Sequence, residues 1–175
     1  LGIHEDVLKA LSEMDWETPT VVQRDSYPMA IEGKDIIVQS RTGTGKTGAF
    51  AIPLVDRLID PEAGVQALVL APTRELALQV KRELGWLYAD AGAFIASCVG
   101  GMDMRDERRA LERGAHIVVA TPGRLRDHIM RESIDLTAVR AVVLDEADEM
   151  LRMGFIDDVA WILEHTPDDR QIALF

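Results

Sequence analysis

Two short stretches hold residue types that chemistry needs. "SRTGTGKT", residues 40–47, follows the apolar run "DIIVQ" at 35–39 and places two glycines, a lysine and a threonine in close succession. Gly43 and Gly45 let backbone N–H groups curl around phosphate oxygens, Lys46 adds a mobile positive charge, and Thr47 offers a hydroxyl where a magnesium ion would sit. A helix starting here would turn its positive end on the same phosphates. Ser40, Arg41, Thr42, Gly43, Thr44, Gly45, Lys46 and Thr47 therefore form a candidate nucleotide cradle, in which Ser40 stands where the P-loop pattern has its first glycine. The second stretch, "VVLDEADEM" at 142–150, begins as a buried strand and turns into three acids in four residues. Burying unpaired carboxylates is costly, so these acids must reach water or neutralise something.

The two stretches explain each other. Asp145, ending a strand of the same sheet, can hold Mg2+ through water against the β- and γ-phosphates of a nucleotide. Glu146 is placed to orient and deprotonate the attacking water. Asp148 is three residues from Asp145, on the same face if a helix begins here, and is read as a coupling residue. The bland alternative is a negative first turn complementing a helix dipole. The pairs Asp157–Asp158 and Asp168–Asp169 do not follow a buried strand and are read as solvated.

The elements that must position these residues show in the periodicity. Runs rich in Val, Ile and Leu recur at 35–39, 66–71, 94–99, 116–120, 141–145 and 171–175, separated by stretches of helical period such as "RELALQVKRELGWLYADAG" and "MDMRDERRALERG". Helical segments at 4–14 and 20–32 precede the first strand. Strands alternating with helices predict a mostly parallel sheet with helices on both faces, and ligands of such sheets collect at the carboxyl ends of the strands. At 175 residues the chain is the size of one domain, 1–175, with 47% hydrophobic and 28% charged residues. The one cysteine, Cys98, lies in an apolar run and is read as inert core in a reducing compartment. No run is long enough to span a bilayer and no signal peptide pattern is present, so the expectation is a soluble, cytoplasmic protein. The net charge of -11 argues against an indiscriminately nucleic-acid-binding surface, so any RNA or DNA contact must be a local patch or come from elsewhere.

Together these residues make the chain resemble the first RecA-like lobe of the DEAD-box RNA helicases over its whole length. "WETPTVVQ" at 16–23 resembles the family's Q motif, "SRTGTGKT" motif I, "PTRELA" at 72–77 motif Ia and the literal Asp-Glu-Ala-Asp motif II, with Gly100–Gly101 and "TPGR" at 121–124 as further matches. The resemblance implies a RecA-like P-loop fold, ATP and Mg2+ as cofactors, and Gln23 as the adenine reader, whose amide can accept from one ring substituent and donate to a ring nitrogen. Thr20 and Gln23 also fit a helix capping box. Asp15 stands where the family has glycine before Trp16, a residue read as core, and the family's adenine-packing aromatic would fall before residue 1.

The resemblance assigns Pro72, Thr73, Arg74, Gly101, Thr121, Gly123 and Arg124 to the backbone of single-stranded RNA or a short duplex, with little sequence preference. Arg74 would otherwise pair with Glu75 or a nearby acid. Thr-Pro also occurs at 18–19 and 166–167, where a helix N-cap followed by proline explains it. The four histidines show no metal spacing and receive no chemistry. In the family a second RecA-like lobe would follow and supply transition-state arginines, so the isolated lobe is expected to be monomeric and nearly inactive. Two other readings stay open: a P-loop ATPase acting on DNA or protein, and a nucleotide-gated RNA clamp whose output is a held complex.

Overall fold

A computed structural model describes residues 36–37, 60, 62–89 and 92–174. Gln23, the cradle at 40–47 and the helices expected at 4–14 and 20–32 lie outside the described residues. The strands are β1 (Ile36–Ile37), β2 (Ala67–Leu70), β3 (Ile95–Cys98), β4 (Ile117–Ala120), β5 (Ala141–Leu144) and β6 (Gln171–Leu174). The helices are α1 (Arg74–Leu87), α2 (Met104–Glu112), α3 (Pro122–Met130), α4 (Ala147–Arg152) and α5 (Ile156–Glu164). Each strand falls inside one of the apolar runs.

The six described strands form one sheet in the order β1-β6-β5-β2-β4-β3, with parallel pairing throughout. Every residue of β2, β4 and β5 is buried, as expected of strands covered on both faces. One face carries Leu68, Leu70, Val118, Ala120, Val142 and Leu144, which pack with Leu125 of α3, Met150 of α4 and Val159 and Ile162 of α5. The alternate strand residues turn to the other face, where α1 lies against β3 and β4 and buries Ala77, Val80, Leu84 and Leu87.

The register is what makes a site possible. Leu70 is level with Ala120 and Leu144, Ala120 with Cys98, and Leu144 with Leu174. Hydrogen bonds carry the ladder one residue further, from Ala71 N to Ala120 O (2.9 Å), Thr121 N to Cys98 O (3.1 Å) and Asp145 N to Leu70 O (2.8 Å). The chain therefore leaves β5, β2, β4 and β3 at one level, along one edge.

Two expectations change. Thr166 does not start a helix: its N–H (3.2 Å) and Oγ1 (2.7 Å) both donate to Leu163 O, so Thr166-Pro167 closes α5. A threonine hydroxyl can donate to a helix's last carbonyls as readily as it accepts at a helix start, and the dipeptide alone does not say which. Asp158 is not simply solvated, because Arg126 Nη1 donates to its Oδ1 at 3.1 Å and ties α3 to α5. The same arginine stands over the Trp161 ring, 4.8 Å from its centroid. Asp168 and Asp169 are exposed, as read from the sequence.

Candidate functional site

Asp145 and Glu146 occupy the turn between β5 and α4. Asp145 is the residue just past a fully buried strand and is itself buried, 6% exposed. Glu146, half-buried, adopts a left-handed backbone at φ 50° and ψ 52° and forms the N-cap position of α4 without a side-chain capping bond. That conformation costs a residue with a β-carbon about 1–2 kcal/mol, and such strain concentrates where a side chain must be aimed. Since α4 begins at Ala147, Asp145 is not helical and the same-face argument for Asp148 does not hold. The Asp148 side chain is 80% exposed and lies 3.6 Å from Arg152 one helical turn on. The three acids thus differ in setting: one buried, one strained at the rim, one in water.

The loops after β2, β3 and β4 line the rest of the edge. Pro72 is buried, and Thr73 starts α1 by accepting from Leu76 N–H at 3.2 Å. The exposed Arg74 guanidinium crosses to the loop after β3, where its Nη2 lies 3.5 Å from Met102 Sδ. It runs so close to Gly101 that an added Cβ there would stand 2.6 Å from Arg74 Nη1. Gly101 has φ +83°, so the backbone favours glycine, and a methyl there would also displace the flexible Arg74 guanidinium. Arg74 therefore packs on Gly101 and Met102 rather than on Glu75. Thr121 is the N-cap of α3, with Pro122 in the first turn and no capping bond from its hydroxyl. Gly123 and Arg124 follow half-buried in the same helix.

Arg124 leads to a group that the sequence reading passed over. Its Nη1 donates to Met102 O and to Glu107 Oε1, both at 3.0 Å. The same Oε1 lies 3.0 Å from Nε2 of the fully buried His128, and Glu107 Oε2 accepts from Val99 N–H at 2.7 Å. One buried carboxylate thus joins α2, the loop after β3 and two residues of α3. Removing one partner from such a set costs on the order of 3–5 kcal/mol. The available signal was amphipathic: Glu107 lies one turn before Ala110 and Leu111, which pack on the core, so an acid sits on the apolar stripe of α2. His128, given no chemistry on metal spacing, is part of this group; among the described residues no cluster of three potential metal ligands occurs. Cys98, below the same loop, is fully buried, and burial first and Glu107 second push its thiol up to about 12. The inert reading of Cys98 agrees with this.

The site can now be set beside known proteins. The profile of the DEAD/DEAH box helicase family matches residues 20–175. The chain belongs to that family. Among curated relatives, the RNA helicase CrhR of Synechocystis is 50% identical over 175 residues, and the ATP-dependent RNA helicase CshA of Limosilactobacillus reuteri is 45% identical over 175 residues. Each alignment covers 100% of this chain and 35% of the relative, so the chain spans about a third of their length. A crystal structure of a DEAD box protein from the hyperthermophile Methanococcus jannaschii superposes with a TM-score of 0.94 at 43% identity, covering 100% of this chain and 48% of that one. The fold of this DEAD-box chain is RecA-like α/β, as the motif resemblance implied.

Proposed function

We propose that this chain is the ATP-binding lobe of an ATP-dependent RNA helicase, which holds Mg2+-ATP at one part of the strand edge and an RNA backbone at the other. The observation that carries the reading is the Asp145–Glu146 turn at the mouth of a parallel sheet, with a buried carboxylate beside a carboxylate held in a strained backbone. The names of the relatives, ATP-dependent RNA helicase and RNA helicase, support the activity. The donor fits the ion: the buried Asp145 at the strand end offers hard carboxylate oxygen, which suits Mg2+, an ion that keeps waters and shares its coordination with phosphates. Asp145 and Thr47 would hold it, and when bound it neutralises charge on the phosphate oxygens.

The chain's own residues divide the remaining work. Ser40 through Thr47 bind the phosphates, with Lys46 on the transferring group, and Gln23 reads adenine. Glu146 orients the attacking water and takes its proton; a carboxylate already aimed by its backbone need not be reoriented at each turnover. Pro72, Thr73, Arg74, Gly101, Thr121, Gly123 and Arg124 lie along the edge formed by β2, β4 and β3, beside β5, and bind phosphate and sugar without reading bases. Asp148, in water on α4, suits contact with a second RecA-like lobe, which would supply the arginines that complete the transition-state shell.

The test is steady-state phosphate release at saturating Mg2+-ATP, with and without single-stranded RNA, by this chain alone and joined to the second lobe. Nucleotide binding with negligible turnover by the chain, and RNA-stimulated turnover by the joined protein, are expected. Vigorous turnover by the chain alone would overturn the two-lobe reading. Stimulation by DNA equal to that by RNA would remove the polymer assignment.

A further inference from the structure

Resting on the RNA-backbone reading above and deepening it, we infer that Glu107 and His128 are positioning residues that lock the loop after β3 to the start of α3, so that the phosphate-binding groups stand in one fixed row. The groups that would touch RNA come from separate segments, Gly101 from a loop and Thr121, Gly123 and Arg124 from the cap and first turn of α3. Some contact must set the distance between the two. Glu107 is built for this. Its Oε2 takes the N–H of Val99, the residue before Gly100, at 2.7 Å, and its Oε1 takes Arg124 Nη1 and His128 Nε2, each at 3.0 Å.

The geometry also divides the labour of Arg124. A guanidinium carries five donors, and the bonds to Glu107 and Met102 O use Nη1. Held by Nη1, and with its side chain 17% exposed, Arg124 keeps its plane fixed while other donors remain for a phosphate oxygen. His128 acts one step back. It is wholly buried and reaches no surface, yet its Nε2–H, set against a carboxylate that can only accept, fixes the rotamer of Glu107 on which the other two bonds depend. Met102 O, bonded to the same guanidinium, adjoins Gly101, and Met102 Sδ meets Arg74, so the lock extends to the start of α1.

The experiment is RNA-stimulated phosphate release by the protein carrying both lobes, titrated with single-stranded oligouridine, alongside thermal unfolding. Glu107→Gln keeps the volume and one oxygen but sets an amide N–H either toward Arg124 and His128 or toward Val99 N–H, so one side of the lock is lost in each orientation. We expect the RNA concentration for half-maximal stimulation to rise about tenfold or more, with turnover at saturating RNA nearly retained, as misplacement of binding groups predicts. His128→Gln, whose amide can donate in the place of Nε2–H, should stay close to the parent, and His128→Leu should weaken RNA response in the same way as Glu107→Gln. Unchanged half-saturation in both Glu107→Gln and His128→Leu, with only the unfolding temperature lowered, would overturn the inference and leave a purely structural group. Should Glu107→Gln fail to fold, the two His128 variants decide, and equal RNA response from them overturns it. Arg74→Ala separates the layers: if it too leaves RNA response intact, the RNA-edge reading fails and the inference with it; if Arg74→Ala is impaired and Glu107→Gln is not, only the positioning role fails.

Discussion

Replacing Gly101 by alanine acts on two quantities that the structure separates. The backbone at φ +83° costs a residue with a β-carbon about 1–2 kcal/mol. The new methyl would also stand 2.6 Å from Arg74 Nη1 and 3.5 Å from Cζ, so the guanidinium must move off the loop and leave Met102 Sδ. Because Arg74 is exposed and flexible, that displacement adds little to the folding cost. The sum is about 1–2 kcal/mol, or a fall of about 2–8 °C in Tm for a chain of this size. Gly100→Ala is the built-in control, since an added Cβ there meets nothing within 4 Å, and its cost should stay within about 0.5 kcal/mol. The second quantity is RNA affinity. On the proposed RNA edge, a displaced Arg74 would lose a charged hydrogen bond to phosphate worth about 1.5–3 kcal/mol, roughly a ten- to hundredfold weaker complex. Urea unfolding of each variant and fluorescence anisotropy on single-stranded RNA at one fixed salt concentration measure the two separately. Part of the loss runs through Arg74, so Gly101→Ala added to Arg74→Ala should weaken RNA by less than it does alone while still costing stability. Gly101→Ala as mild as Gly100→Ala in urea, or affinity losses that add in the double variant, would refute the reasoning.

Other outcomes follow from single features. Glu146→Gln should leave Mg2+-ATP binding intact and lower RNA-stimulated phosphate release by about 10²–10⁴, the usual loss for a general base; Glu146→Gly should lose hydrolysis equally yet unfold at higher temperature, by about 1 kcal/mol, because it relieves the left-handed backbone. With its thiol pushed up to about 12, Cys98 contributes stability that is complete below the ordinary thiol value of 9.0 and is lost as pH rises from there through about 12. Iodoacetamide at pH about 8 should accordingly modify Cys98 only in urea-unfolded chain, as mass spectrometry would show. Arg126→Ala removes both the 3.1 Å bond to Asp158 and the cation over Trp161, and should cost about 1 kcal/mol in urea unfolding together with a change in tryptophan emission.

Much of the architecture was legible because it depends on short-range pattern. The six apolar runs became the six described strands, and the acids at 145–148 marked a strand end, because buried parallel strands need unbroken Val, Ile and Leu and cannot absorb a carboxylate cheaply. The motif spacings also carried the family, since Gly-x-Gly-Lys-Thr and Asp-Glu-Ala-Asp specify backbone freedom and charge within a few residues of one another. What the sequence could not contain was distance across the sheet. Asp145 and Asp148 are three apart in the chain but lie in different environments, because the helix begins only after Glu146. Glu107 and His128 read as an ordinary helical acid and a stray histidine. They became a buried group only when the fold brought these two side chains of α2 and α3 together, 21 residues apart in sequence and 3.0 Å apart in space. Local sequence determined which groups exist and on which elements they ride; packing of helices onto a common sheet decided which of them meet, because side-chain partners are chosen by the geometry of burial and not by position along the chain.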